Sequence, residues 1–292
     1  MAKVDVTIPI YNTPLPYLKA ALESVIAQTF PDWRAVVVNN GSTEKNTVAL
    51  ESYLQGLPRD KILYIKTPNR GLPAARNTGI KATDSPYIAL LDADDAWYPE
   101  KLALQLPILD QNPEIALVYA DSEVIDTDGR VIRKSPPREF LASPDRHETL
   151  KRMLHGNFIW VLTAVFRRSC VEAVGYFDES FDSLEDKALW VVMLAKGYRF
   201  HHLSKTVGMY RVHSSNMSRN TEKLLRGRGR LIRKIDRMAD THPMLGEVNW
   251  KELRKEMVAH MFREAREGFM KERKLLKALK YSFPFNLFLT GG

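Results

Sequence analysis

The chain has 292 residues, 45% hydrophobic and 27% charged, which suits a globular protein with one large α/β domain and an appendage, or two domains. Its single cysteine, Cys170, excludes an internal disulfide and a cysteine-built zinc site and fits a cytoplasmic setting. The net charge of +8 is uneven: from residue 219 onward 18 Lys and Arg face 9 Asp and Glu, while the rest is near neutral. This argues against a nucleic-acid enzyme, whose cleft needs basic groups.

The chain opens on the apolar run VDVTIPI, so no signal peptide is expected, and its longest apolar run, 158–166, is too short to span a bilayer. Residues 4–10 read as a strand, and Leu18, Leu22, Val25 and Ile26 give 17–28 helical spacing. A strand at 33–38, the turn NNGS at 39–42, a helix at 44–54, a strand at 62–66, a helix at 73–81 and a strand at 87–91 follow. This alternation predicts a mostly parallel sheet with helices on both faces. Next come a helix at 100–110, strands at 116–121 and 124–132 around the turn Thr127-Asp128-Gly129, and a loop at 134–143, where Pro136, Pro137 and Pro144 discourage regular structure. A buried strand at 158–166, a helix at 184–196 and a last strand at 207–212 complete the body.

Beyond 219 the pattern is helical. Asn249 with Glu252 resembles a capped helix start, and Trp250, Leu253, Met257, Met261, Ala265 and Phe269 form one apolar stripe expected to pack on the body. Residues 275–289 mix lysines with Tyr281, Phe283, Phe285 and Phe288, which suits a membrane interface or a docked terminal segment. Solvated helix faces are the simpler and favoured account of the basic surplus.

The strand at 87–91 runs straight into Asp92-Ala93-Asp94-Asp95. In open α/β sheets ligands bind at that edge. Three carboxylates within four residues repel one another unless a positive charge sits among them. A Mg2+ or Mn2+ ion carrying phosphates would supply it; an Asp-rich turn capping the helix near Pro99 is the alternative. Tyr11 ends the first strand, placed either to stack on a base or sugar or simply to pack, and Asn40 lies in the NNGS turn. Arg70 and Arg76 offer guanidinium forks for a diphosphate, or structural ion pairs with the acidic cluster. Glu185-Asp186 opens a helix, which favours the anion, lowering its basicity while leaving it ready to accept a proton.

Seven ordered blocks resemble the family 2 glycosyltransferases of the GT-A fold: VTIPIYN at 6–12, SVIAQTFPDWRAVVVNNGST at 24–43, NRGLPAARNTGI at 69–80, YIALLDADDAWYPEKL at 87–102, FRRSCVEAVGYFDESF at 166–181, EDKALW at 185–190 and YRVHSSNMS at 210–218. They cover about three-quarters of the chain. The resemblance implies a GT-A domain over 1–218, with a nucleotide-binding half at 1–96 and an acceptor-binding half at 97–218, followed by a basic helical extension at 219–292. It implies an inverting, metal-dependent hexosyltransferase-type enzyme using Mn2+ or Mg2+ and a nucleotide-sugar, UDP-sugar first. Pro9, Tyr11, Asn40 and Arg70 or Arg76 would line the nucleoside pocket, and Asp92 would approach the ribose or donor sugar. Asp94 would bind the metal with Asp95 beside it, and His213 would help hold the metal or diphosphate. Asp186 would be the base, with Glu185 its neighbour. Acceptors would be hydroxyls of polysaccharide, cell-surface or lipid-linked glycans, reached from the cytoplasm, with the basic tail docking peripherally on the inner face of the plasma membrane. One departure stands out: the family commonly has two aspartates where this chain has Asn39-Asn40, so Asn40 keeps an acceptor oxygen for uracil but loses the charge. The competing classes are a metal-dependent phosphoesterase and a non-catalytic nucleotide-sugar-binding module; a Rossmann dehydrogenase is disfavoured because no GxGxxG follows the first strand.

Overall fold

All seven residues of β1 (Val4–Ile10) are buried, as a strand covered by helices on both faces requires. A computed structural model describes residues 2–134, 145–214, 216–217, 220–271, 274 and 277. The first helix is α1 (Leu15–Ile26). It leads to β2 (Trp33–Asn40), α2 (Glu44–Leu54), β3 (Ile62–Thr67), α3 (Leu72–Lys81) and β4 (Tyr87–Leu90). β1 lies parallel between β2 and β4, with β3 outside β2. The register pairs Ile10 with Asn39 and Thr7 with Leu90, so the C-terminal ends of β1, β2 and β4 share one edge. Gly79 lets α3 lie flat on β1, since a Cβ there would stand 2.6 Å from Thr7 Cγ2.

The second half is β5 (Ala96–Trp97), α4 (Lys101–Gln111), β6 (Ile115–Ile125), β7 (Val131–Lys134), α5 (Arg146–His155), β8 (Val165–Arg167), α6 (Arg168–Ala173), α7 (Glu185–Ala195) and β9 (Arg199–Arg211). The strand order is β3-β2-β1-β4-β8-β6-β9-β5, with β7 paired to β6. Parallel pairing dominates, and β8 enters antiparallel between β4 and β6. This is the expected mostly parallel α/β sheet. Leu18, Leu22, Leu102 and Leu106 of α1 and α4 fill one face. Trp190 of α7 centres the other, with Leu150 and Met153 of α5.

The apolar run at 158–166 is mostly not a strand. Residues 161–163 form a 3-10 turn, and only Val165–Arg167 joins the sheet. The run is buried by side-chain contacts instead: Trp97 Nε1 donates to the Leu162 carbonyl, and Gln105 to that of Thr163. Period alone cannot separate these cases. The strands read at 116–121 and 124–132 are one long strand and a hairpin return, because the chain turns at Asp126, whose side chain accepts from the Asp128 and Arg130 amides.

The described helices beyond residue 219 pack on the body. Helices α8 (Thr221–Met238), α9 (Pro243–Glu247) and α10 (Trp250–Lys271) close over the Trp190 face. Leu231, Ile232, Ile235, Leu245, Trp250, Leu253 and Met257 belong to its core, while Ala265 and Phe269 form a small cluster beside Leu225. The apolar stripe thus packs on its own body. Part of the basic surplus ties α8 down: Arg226 and Arg230 pair with Asp182, and Lys234 with Asp178. Residues 278–292, with Tyr281, Phe283, Phe285 and Phe288, and the prolines at 136, 137 and 144 lie outside the described residues. Among those described, no helix is long and apolar enough to cross a membrane.

Candidate active site

The aspartate turn is closed by the Asp95 amide donating to the Asp92 carbonyl, 3.0 Å. Because β5 pairs with β9, the end of β9 lands on this turn. The Arg211 amide donates to Asp95 Oδ1, and Arg211 Nε to the Asp94 carbonyl, each at 2.8 Å. Asp95 is 1% exposed and its Oδ2 has no partner among the described residues. Burial, then the charges of Asp94 and Asp92, push its carboxyl well above the usual range. Asp95, expected among the nucleotide-binding groups, is covered by the β9 backbone and pins the turn from inside.

Asp94 Oδ2 lies 2.8 Å from His213 Nε2. Burial and the Asp92 charge raise the Asp94 carboxyl, while His213 pulls it down. Among the described residues no three His, Cys, Asp or Glu side chains converge as a metal cluster. The two members of this pair nevertheless fit an ion such as Mn2+ by donor type, one carboxylate and one imidazole. Ligand oxygens would have to complete the shell, as phosphates commonly do for Mg2+.

Arg76 of α3 links this turn to α7. It is 1% exposed, donates through Nη2 to Asp92 at 2.7 Å and through Nη1 to Glu185 at 2.5 Å, and lies over the Phe177 ring. Burial would lower its pKa, but Asp92 and Glu185 outweigh it, and the guanidinium stays charged. Arg76 is therefore the structural ion pair of the acidic cluster. Arg70, by contrast, is on the surface, paired with Glu179 at 2.7 Å.

The start of α7 aims two carboxylates inward. Leu184 just before it holds φ +59°, a left-handed conformation that costs about 1 kcal/mol or more in a non-glycine residue. Packing from α8 covers this corner: the Ser183 hydroxyl donates to the Lys223 carbonyl, and bare Gly227 sits directly over Ser183. Asp186 accepts from the Lys187 amide (2.7 Å) and from Asn157 Nδ2 (2.8 Å). The helix terminus was expected to hold these acids low. Instead burial raises both Glu185 and Asp186, with Arg76 opposing it. A cavity of about 270 Å³ is lined by Asp92, Arg76 and Asp186 together with Asn157, Trp160 and Tyr210. The Trp160 and Tyr210 rings lie 4.8 Å apart.

Past the end of β1, Tyr11 is 55% exposed at the sheet edge, and Pro9 is buried within β1. Asn12, at φ +53°, accepts from the Thr43 amide and from Asn46, bracing the β1 end on the β2 end. Asn40 is buried; its Oδ1 accepts from the Arg70 amide and its Nδ2 donates to the Gly71 carbonyl. It thus staples β2 to the loop before α3, with both ends of its amide in use. Asn39 likewise serves Ser42, Thr47 and Tyr64. Sequence reasoning missed Asn157, Trp160 and Tyr210. A lone loop asparagine has no motif, and the two aromatics meet only through the fold.

A family model described as glycosyl transferase family 2 matches residues 5–175. An uncharacterized glycosyltransferase of Rickettsia typhi is 31% identical over 203 residues, 65% of this chain; the chain spans 58% of that relative. The putative teichuronic acid biosynthesis glycosyltransferase TuaG of Bacillus subtilis is 26% identical over 236 residues, 80% of this chain and 89% of the relative. Among solved structures, S. aureus TarS 1-349 in complex with UDP-GlcNAc superposes with a TM-score of 0.68 at 20% identity, covering 96% of this chain and 79% of that one. The mannosyltransferase PcManGT from Pyrobaculum calidifontis, in complex with GDP-Man and Mn2+, gives 0.67 at 18% identity, covering 97% and 76%. At such identity the two structures establish the GT-A-type fold alone.

Proposed function

Because the chain belongs to glycosyl transferase family 2, we propose that it moves a sugar from a nucleoside-diphosphate sugar, UDP-sugar first, to an acceptor hydroxyl with inversion. The observation carrying this reading is that Asp92 and Asp186 open onto one cavity, joined through Arg76 and Glu185. Asp186, made more basic by burial, takes the proton of the acceptor hydroxyl as its oxygen bonds the anomeric carbon and the bond to the diphosphate breaks. Arg76 opposes protonation of Glu185 and holds both Asp92 and Glu185 in place. Asp94 and His213 would hold Mn2+ or Mg2+, which when bound neutralises charge on a departing diphosphate. Tyr11 offers an exposed ring for the nucleobase, while Asn40 shapes the pocket wall through the loop that it staples.

The UDP-GlcNAc bound to TarS supports a UDP-sugar donor, and the name of TuaG supports a cell-surface polysaccharide acceptor. The basic surplus of 219–292 would draw the enzyme to anionic lipid at the inner face of the plasma membrane. The test is Asp186→Asn. Transfer should fall by about 10²–10⁴-fold, while UDP with Mn2+ still raises the melting temperature as in the parent. Parent-level transfer by the variant would overturn the assignment of the base.

A further inference from the structure

Asp186 is held from two sides, and only one hold comes from its own helix. The Lys187 amide anchors Oδ1 at 2.7 Å. A single anchor leaves the carboxylate free to turn, since the terminal torsion of Asp is broad. The second anchor arrives from a different element: Asn157, in the loop after α5, donates Nδ2 to Oδ2 at 2.8 Å. Asn157 is itself oriented, because its Oδ1 accepts from the Ile159 amide at 3.2 Å. The two residues that follow it, Phe158 and Ile159, are buried in the core and fix the loop. Its own side chain is exposed, so it fills no core space.

Resting on the reading of Asp186 as the base, we propose that Asn157 is a positioning residue that locks the rotation of the Asp186 carboxylate and holds it as the anion facing the acceptor. Hydrogen bonds to a charged acceptor are the strong ones. The charged groups around Asp186 are Arg76 from α3, Asp92 from the β4 turn, Glu185 and Lys187 on its own helix, and Arg228 of α8 beyond Lys187. Burial and Asp92 favour protonation; Arg76, the Lys187 amide and Asn157 oppose it. Asn157 is the one of these opposing groups that can be removed without breaking an ion pair or a helix.

The experiment follows the Asp186 carboxyl by 13C NMR titration of the full chain, with Asp186→Asn identifying the resonance. In Asn157→Ala its pKa should rise by about one pH unit, and further in Asn157→Asp, where a second carboxylate replaces the donor. With the UDP-sugar that the parent prefers, the acid limb of the kcat profile should move up by the same amount. Neutral-pH kcat should drop about tenfold, a part of what a positioned base contributes, with acceptor KM unchanged. An Asp186 carboxyl titrating at the same pH in parent and Asn157→Ala, beside an inactive Asp186→Asn, overturns this inference alone. A fully active Asp186→Asn overturns the base assignment and the inference with it.

Discussion

Lys187 follows the proposed base directly and is buried, with its Nζ donating to the Leu154 carbonyl at 2.9 Å. Burial, then the charge of Arg228, brings its pKa from 10.5 down to about 7, with Asp186 pulling the other way. In the unfolded chain the amine titrates near its ordinary value, so between pH 7 and 10.5 the unfolded state binds more protons. Stability from this group is therefore complete above about 10.5 and is lost progressively as pH falls toward 7. At pH 7 the accumulated cost is about 4 kcal/mol; losing the Leu154 hydrogen bond returns about 1 kcal/mol of it. Lys187→Met should thus be more stable than the parent by about 3 kcal/mol at pH 7 and about equal or slightly less stable near pH 10. Urea unfolding at pH 7, 8, 9 and 10 measures the difference between the two proteins, which cancels groups that titrate in both. A difference that stays constant across this range would refute the reasoning, since it would mean that the folded protein keeps Lys187 charged throughout.

Two further outcomes are expected. Arg76→Met leaves Asp92, Glu185 and Asp186 facing one another without their cation, and should cost about 3–5 kcal/mol in urea unfolding; adding Glu185→Gln should recover part of it, and an Arg76→Met protein as stable as the parent would deny the ion-pair role. Gly227→Ala places a Cβ 2.4 Å from Ser183 Oγ and 2.8 Å from its carbonyl, and should lose about 1–3 kcal/mol together with activity as α8 lifts from the turn that leads into α7. Gly229→Ala on the same helix meets only the end of Arg233 at 3.6 Å and should be neutral or slightly stabilising; equal effects of the two in thermal melts and transfer assays would remove α8 from the site.

Local pattern and chain order sufficed for the first half of the sheet. VDVTIPI and WRAVVVNN are continuous apolar runs ended by polar turns, and such runs between amphipathic helices have few arrangements other than parallel strands. The same logic put Asp92 and Asp94 at the C-terminal sheet edge, and put Glu185 and Asp186 at the start of a helix. What an individual side chain does there was not legible, because it depends on partners far away in the chain. Asp94 and Asp95 are adjacent, yet one meets His213 and the other is sealed under the Arg211 amide, which follows from the β5–β9 pairing. Arg70 and Arg76 look equivalent in sequence, but only Arg76 lies on the buried face of α3 that meets Asp92 and Glu185. The basicity of Asp186 reverses its helix-terminus expectation, because desolvation grows with every element packed over it. The sequence by itself determined the kind of fold and which residues reach the edge of the sheet; tertiary packing decided which carboxylates are pins, which are paired and which are made more basic by burial, because burial and distant charge are properties of the assembled chain.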